Sequence, residues 1–165
     1  MEKSIMSKKI VREAGLVLDP AIIPFGESYT GMAELLYQAF HGSLDDRGET
    51  LEDWELEITN VVTGGYGPFM KEHSFIYQEN GVFQGVVMTG LFRNVPLILY
   101  AAVAPDFRRQ GKAGMLLNQV MRSFEATAYQ EVFLVVKESN EPAKALYEQL
   151  GFKEKGSDWE TVLKK

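Results

Sequence analysis

Apolar residues repeat with a helical period in two segments of the first half of the chain. From Tyr29 to His41 they fall at i, i+3, i+4, i+7 and i+8, which places them on one face of a helix. A second stripe begins after Thr50, and Asp53, three residues later, completes the pattern of a capping box. The pattern therefore predicts two amphipathic helices, the second of which ends at Gly64-Gly65.

Extended segments follow these helices. The run over 97–103 is almost wholly apolar, as expected for a central strand that is buried on both faces. Asn80-Gly81 suits the tight turn of a hairpin. The predicted strands are residues 10–18, 74–78, 82–92, 97–103 and 132–136, and residues 152–163 leave room for a little more strand.

Two more helices complete the predicted fold. An apolar face that includes Leu116, Leu117 and Val120 predicts a helix after the turn at 105–114, running to about residue 129. A short helix over 141–150 can be capped by Ser139 or Asn140. The order of elements indicates an α/β fold in which helices cover a mixed sheet. We expect its strand–helix–strand unit, over 97–136, to be parallel and right-handed.

Composition and charge exclude several classes of protein. The length of 165 residues is typical of one compact domain, and we expect a single domain over 1–165. The net charge of −6 argues against general nucleic-acid binding, which needs a basic face. Cysteine is absent, the N-terminus lacks the apolar core of a signal peptide, and no apolar run reaches the roughly 18 residues that span a bilayer. We therefore expect a cytoplasmic protein with no nucleic-acid or membrane partner.

One turn concentrates positive charge in this acidic chain. Residues 105–114 read PDFRRQGKAG and join an apolar strand to a helix. Unpaired backbone amides and the helix dipole at such a helix start attract phosphate. Gly111 lets the backbone approach the anion closely, and Arg108, Arg109 and Lys112 add full charges. The turn is thus a candidate phosphate-binding site.

Three other interpretations of this turn have to be weighed. Taken alone, its glycines are equally consistent with turn or packing positions, and its cations with a solvated surface cluster. A nucleotide P-loop is excluded by spacing, because Asp106 and Ala113 occupy the positions where that motif requires Gly and Ser or Thr.

A second motif, SNEPAKALYEQLGF over 139–152, decides between them. Together the two motifs resemble those of the GCN5-related N-acetyltransferase (GNAT) superfamily. The family's acetyl-CoA loop reads R/Q-x-x-G-x-G/A, and its later element reads N-x-x-A-x-x-L-Y-x-x-L-G-F. The matching residues are Arg108, Gly111 and Ala113 in the first pattern and Asn140, Ala143, Leu146, Tyr147, Leu150, Gly151 and Phe152 in the second. The resemblance is close over 97–152 and rests on element order alone over 10–96.

The resemblance implies a GNAT fold, with a central mixed, mostly antiparallel sheet flanked by helices. It also implies an enzyme that transfers the acetyl group of acetyl-CoA to a primary amine. In the family, the strand before the phosphate turn splays from the next strand and CoA lies in the gap. The implied cofactor-binding residues are Ala101, Ala102, Val103, Arg108, Arg109, Gln110, Gly111, Lys112, Ala113, Gly114, Asn140 and Tyr147. Tyr147 also matches the family's general acid, although by its spacing alone it would be a core residue.

A general base is not found where some family members carry one. Val135 and Leu97 occupy positions that hold Glu in those members. Deprotonation then goes through water, a backbone carbonyl or a residue of the N-terminal half. The candidates there are Glu52, Asp53, His73 and Glu79, although each position is more often simply solvated. His41 and His73 are not at ligand spacing, so no metal site is predicted.

The acceptor should lie between the two N-terminal helices and the sheet. This region contains Tyr29, Tyr37, Phe40, Trp54, Tyr66 and Phe69, interleaved with acidic residues. Aromatic residues at helical spacing are more often core, but an aromatic and acidic pocket suits an amine, and we expect a small molecule rather than a peptide.

The C-terminal tail departs from the family. Only 13 residues follow Phe152, where family members often have two strands. We therefore expect either an open acceptor side or completion by a second copy in a homodimer. A non-catalytic acyl-CoA sensor on the same fold is the alternative to an enzyme.

Overall fold

The computed structural model describes residues 2–164 and contains a seven-stranded sheet with helices on both faces. The strands are β1 Lys3–Lys9, β2 Ile22–Pro24, β3 Phe75–Glu79, β4 Val82–Phe92, β5 Val95–Val103, β6 Glu131–Lys137 and β7 Lys153–Gly156. The helices are α1 Tyr29–Phe40, α2 Leu51–Val62, α3 Lys112–Phe124, α4 Glu141–Gln149 and α5 Trp159–Val162, and 3-10 turns cover Lys71–His73 and Pro105–Phe107.

The strand order is β2-β3-β4-β5-β6-β1-β7, and each pair is antiparallel except β5 with β6. One apolar core lies between the sheet and α3, around Leu116, Leu117 and Phe124. A second core lies on the opposite face, where α1 and α2 pack. This arrangement confirms the predicted mixed α/β fold and the parallel strand–helix–strand unit.

Local sequence signals correctly predict several element boundaries. The Thr50 hydroxyl accepts a hydrogen bond from the Asp53 amide at 3.1 Å, and the Asp53 carboxylate accepts one from the Thr50 amide at 2.8 Å, so the capping box is present. Asn80 and Gly81 both have positive φ, at 54° and 74°, in the turn between β3 and β4. The predicted strand over 82–92 coincides with β4. Helix α3 ends at Phe124, earlier than predicted.

The predicted first strand over 10–18 is wrong. These residues contain no strand, and the apolar side chains of Val11 and Val17 are 55% and 60% exposed. They belong to a strap that crosses α3, where the Arg122 guanidinium donates to the Glu13 carbonyl at 3.1 Å. The strap connects β1 to β2, which lies at the opposite edge of the sheet. Its apolar residues therefore form no hydrogen-bonded β-ladder.

The true first strand, β1, is an interior strand with polar residues inside it. Ser4 and Ser7 are each 1% exposed. Their hydroxyls donate to the carboxylates of Glu154 and Glu131 at 2.6 Å, so neither buried polar group lacks a partner. These serines interrupt the apolar pattern, which is why periodicity does not reveal the strand.

Strand β1 also fills the sheet position that the short C-terminal tail leaves. It pairs with β6 over seven residues, from Lys3↔Lys137 to Lys9↔Glu131, and with β7 on its other side. The N-terminal strand of the same chain therefore completes the sheet without a second copy, and the homodimer and the open acceptor side stay predictions. Within residues 2–164, no helix is long and apolar enough to cross a membrane.

Candidate active site

The two parallel strands in the middle of the sheet separate after two residue pairs. Leu97 pairs with Phe133 and Ile98 with Leu134, whereas β5 continues to Val103 and β6 to Lys137 without further pairing. A register shift against β4 leaves Leu99 as an extra residue, since Thr89 pairs with Ile98 and Met88 with Tyr100. Such a bulge bends its strand. The predicted gap between the strands is thus present, beyond Leu99.

The backbone of β5 turns donors toward this gap. The amide of Ala104 donates to the Gln84 carbonyl at 2.9 Å, so it faces β4. Because amides alternate in direction along a strand, that of Ala102 also faces β4, while those of Ala101 and Val103 face the gap. Of the three predicted contact residues on this strand, two therefore present their amides to the gap.

The start of α3 lies next to the end of β5 and presents unpaired amides. Gly111 is the N-cap residue, with φ of 76°, and no side chain caps the helix. Arg109 also has positive φ, at 62°. A Cβ added at Gly111 would meet no atom within 4 Å, so the space in front of the helix start is open. This geometry fits an anion such as the pyrophosphate of a coenzyme.

The three cations of the turn do not act alike. The Arg108 guanidinium donates to the carbonyls of Val103 at 3.0 Å and Ala39 at 2.7 Å. Lys112 is 8% exposed; its ammonium is 3.3 Å from the Glu79 carboxylate and 4.2 Å from the centroid of a tyrosine ring. In this structure Arg108 and Lys112 thus have protein partners, and their predicted role in binding phosphate stays a prediction. Arg109 is exposed and makes no side-chain hydrogen bond or ion pair within residues 2–164, whereas the exposed Arg108 is bonded to two carbonyls.

Helix α4 packs against the start of α3 and carries the second motif. A Cβ added at Gly114 would lie 3.3 Å from a methyl carbon of Leu150, so Gly114 is a packing glycine between the two helices. Asn140 is the N-cap residue of α4, and its side-chain oxygen accepts from the Ala143 amide at 3.3 Å. This leaves the amide nitrogen of Asn140 as a donor for a ligand.

Tyr147 lies on α4 one turn before Leu150, half-buried against the core under α3. Its ring makes an edge contact with Phe152 at a centroid distance of 6.0 Å. Burial raises the pKa of the Tyr147 hydroxyl, and the negative charge of Asp45 raises it further. The hydroxyl is therefore protonated at neutral pH and available as a proton donor.

Comparison with known proteins agrees with this arrangement. The model of the acetyltransferase (GNAT) family matches residues 31–152, which is more than half of the chain. The chain belongs to the GNAT family. The resemblance inferred from the two motifs is thereby confirmed.

Relatives of this GNAT protein acetylate different acceptors. The [ribosomal protein bS18]-alanine N-acetyltransferase of Escherichia coli K12 is 33% identical over 81 residues, which is 49% of this chain and 55% of the relative. The chain thus aligns with only about half of the length of that enzyme.

Solved structures show the same fold. A GCN5-related N-acetyltransferase from Sphaerobacter thermophilus has a TM-score of 0.72 at 20% identity, covering 93% of this chain and 48% of that one. The aminoglycoside N-acetyltransferase AAC(6')-Iy in complex with CoA has a TM-score of 0.63 at 18% identity, covering 90% and 94%. At these identities the likeness is one of fold.

The four candidate bases of this GNAT chain do not lie at the gap between β5 and β6. Asp53 is occupied in the capping box, and Glu79 contacts Lys112. The His73 ring stacks on Phe124 at 3.7 Å, at the end of α3 remote from the turn, and burial lowers its pKa. Glu52 is exposed in the first turn of α2. The structure brings none of the four to the gap. Among residues 2–164, no group of three or more His, Asp or Glu side chains suits a metal ion.

A carboxylate that the sequence analysis missed is hydrogen-bonded to Tyr100 of β5, the residue after the Leu99 bulge. Glu57 accepts hydrogen bonds from the hydroxyls of Tyr100 at 2.5 Å and Tyr66 at 2.7 Å. Burial and the charge of Glu57 raise the pKa of both phenols, so both stay protonated as donors. A sequence signal existed: Glu57 follows Trp54 by three residues and precedes Val61 by four, so it lies on the apolar stripe of α2.

The predicted aromatic region divides into core and site. Phe40 and Trp54 stack at 5.3 Å, and Tyr100 contacts both rings edge-on, so these two positions are core. Phe69 packs edge-on against Phe25 at 5.1 Å. Of the predicted aromatic residues, Tyr66 reaches Glu57.

An open cleft of about 630 Å³ adjoins this carboxylate. Its walls are the loop over 65–68, the β4–β5 turn, the start of β5 and Trp159 of α5. Most of the lining side chains are apolar, and Tyr66 belongs to both the cleft and the Glu57 cluster. The cleft lies on the face of the sheet where α1 and α2 pack, since Leu99 of its wall belongs to the core on that face.

Proposed function

We propose that the protein is a single-domain N-acetyltransferase that transfers the acetyl group of acetyl-CoA to a primary amine by direct attack. The observation that carries the proposal is the meeting of three features: the gap beyond Leu99, the open amides at the start of α3, and the protonated hydroxyl of Tyr147 on the adjacent helix. Family membership supports the same activity.

The coenzyme fits these residues at three points. The amides of residues 109–114 bind its pyrophosphate, with Arg109 adding charge from the solvent side. The amides of Ala101 and Val103 and the side-chain nitrogen of Asn140 bind the pantetheine arm in the gap. Arg108 acts indirectly, since it ties the Val103 carbonyl to α1 and so fixes the end of β5.

Acetyl-CoA supplies an electrophilic thioester, and the protein orients the reactants and moves one proton. The neutral amine nitrogen forms a bond to the carbonyl carbon while the carbon–sulfur bond breaks, and the proton that this nitrogen loses passes to water, from which the tyrosinate left by proton donation is reprotonated. An amide of β5 that faces the gap stabilises the developing oxyanion, and Tyr147 donates its proton to the departing thiolate. The chain has no cysteine, so no acyl-cysteine intermediate forms.

Loss of the Tyr147 hydroxyl tests the mechanism. We expect Tyr147→Phe to lower kcat for CoA release about 100-fold, the range of general acid catalysis, with acetyl-CoA affinity changed less than about threefold. Tyr129→Phe is the matched control, because that ring also packs on the core under α3 but lies outside the motif. Free CoA release is measured across a panel of primary amines, and affinity by calorimetry. Unchanged kcat in Tyr147→Phe would refute the acid assignment.

The same assay separates the enzyme from the alternative, a non-catalytic acyl-CoA sensor. Turnover on at least one amine supports the enzyme. Tight binding of acetyl-CoA without turnover on any amine of the panel supports the sensor.

A further inference from the structure

We propose that the acceptor is a monoamine that carries an apolar group, with Glu57 binding the ammonium and the adjoining cleft binding the apolar group. This proposal rests on the proposed function, because it names the substrate class of the same site. It is independent of the motifs, since neither of them includes the residues involved.

The carboxylate of Glu57 retains capacity for a cation. One of its oxygens accepts from Tyr66 and Tyr100, and the other accepts from the Asn60 side chain at the long distance of 3.3 Å. An ionised carboxylate accepts about four hydrogen bonds. In the described part of the chain, no ion pair involves Glu57. A half-buried, unpaired carboxylate held by two phenols suits an ammonium group.

The cleft beside Glu57 has the size and walls of a small-molecule site. Its volume of about 630 Å³ lies within the range that such sites occupy. The apolar walls are Pro68, Leu91, Phe92, Leu97, Leu99 and Trp159. The side chain of Trp159 is fixed by ring contacts at 5.0 Å and 5.8 Å with Phe92 and Phe133.

Charge at the rim limits the acceptor to one positive group. Arg93 lines the cleft, and its guanidinium lies 5.3 Å from the centroid of the Phe92 ring. A second ammonium in the cleft would be repelled by this cation, although Asp158 lies close enough to Arg93 for their charges to interact. A polyamine or aminoglycoside therefore fits less well than an apolar monoamine.

Strand β5 joins the cleft to the reaction site. Leu97 and Leu99 line the cleft, the Tyr100 hydroxyl reaches Glu57, and the amide of Ala101 faces the gap. Two residues of extended strand span about 7 Å. An ammonium held at Glu57, with its apolar group over Leu99, is therefore close to the end of the gap, and once it has lost a proton to water it is the neutral amine that attacks the thioester.

Three ligands test the two halves of the proposed site, which are Glu57 for the ammonium and the cleft for the apolar group. Each ligand is titrated into protein saturated with CoA. 2-Phenylethylamine has both the charge and the apolar group, ethylamine has the charge alone, and 2-phenylethanol has the apolar group alone. We expect calorimetry to give 2-phenylethylamine a Kd at least about tenfold below either of the others, because burial of a ring and pairing of a charge each add binding energy. Equal affinity for ethylamine, or tighter binding of spermidine, would overturn the proposal.

Two variants assign the halves to residues. Glu57→Gln should weaken 2-phenylethylamine at least about tenfold and leave 2-phenylethanol unchanged. Trp159→Ala should weaken both phenyl ligands and leave ethylamine unchanged. Glu55→Gln is the matched control, since residues two apart on a helix do not share a face. Thermal melts and acetyl-CoA affinity show that each variant is folded, and unchanged binding in folded Glu57→Gln would overturn the role of Glu57.

These binding data separate this proposal from the proposed function. Tight binding of 2-phenylethylamine, with no CoA release on any amine of the panel, overturns the enzyme and supports the cleft. Turnover confined to polyamines supports the enzyme and overturns the cleft. The last ligand tested is a dipeptide that begins with phenylalanine. If it bound more tightly than 2-phenylethylamine, the proposal of a small-molecule acceptor would be overturned.

Discussion

Single residues at the phosphate turn divide between binding a ligand and holding the turn in place. Arg108 and Lys112 bind protein groups in this structure: Arg108 donates to two backbone carbonyls, and Lys112 donates to the Glu79 carboxylate. What remains at the helix start is backbone, the open position of Gly111 and the exposed Arg109. We therefore propose that amides contribute more than side-chain charge to phosphate binding at this turn.

A residue-scale prediction follows for Gly111. Gly111→Val adds a branched side chain at φ of 76° and fills the space in front of the amides. We expect acetyl-CoA affinity to fall at least about 30-fold, since the phosphate can no longer approach the backbone. Gly81→Val is the control for backbone strain, because Gly81 has φ of 74° and also has no atom within 4 Å of an added Cβ. Equal loss of affinity in both variants would contradict a specific role for Gly111.

Elements differ in how far the sequence predicts them. Helix α2 follows from a capping box and an apolar stripe, and β4 and β5 from long apolar runs between turn residues. Strand β1 could not be predicted this way, because two of its buried positions are serines whose partners lie more than 100 residues away. Glu57 was missed for a related reason: its phenol partners come from a loop and a strand whose approach to α2 is set by tertiary packing.

The location of the first strand gives an element-scale prediction. Met6 is fully buried in β1, whereas Val11, in the segment whose apolar residues favoured a strand, is 55% exposed. Met6→Ala should lower the free energy of unfolding by about 2–5 kcal/mol through lost burial and a cavity. Val11→Ala should change it by less than about 0.5 kcal/mol. Urea denaturation measures the free energy of unfolding of both variants. A larger loss in Val11→Ala than in Met6→Ala would indicate that residues 10–18, rather than β1, form the buried strand.

At the scale of the whole molecule, the two motifs follow β5 and β6, which are interior strands of a sheet that both ends of the chain complete. Strand β1 lies between β6 and β7, and Ile5 contacts the C-terminal helix through the small core that includes Trp159 and Leu163. The strap over α3 then carries the chain to the opposite edge at β2. The cleft that we propose for the acceptor, with Trp159 in its wall, thus lies beside the junction of the two chain ends.

This junction predicts that the chain can be permuted. Gly156 of β7 pairs with Ile5, so the end of β7 lies beside the start of β1. A chain that begins at residue 10 and carries residues 2–9 after residue 164, through a linker of about eight Gly and Ser residues spanning about 15 Å, should restore the same β6-β1-β7 order. Its backbone ladder and buried Ile5 and Met6 would be those of the native sheet.

We expect the permuted protein to unfold cooperatively and to bind acetyl-CoA within about threefold of the native affinity, because the gap and α3 lie away from the new junction. A chain that lacks residues 2–9 altogether should lose cooperative unfolding, since β6 and β7 would each expose an unpaired edge and the core would lose its β1 side chains. Calorimetric unfolding and acetyl-CoA titration of both chains decide the matter. If the truncated chain were as stable as the permuted one, β1 would not be the strand that completes the sheet.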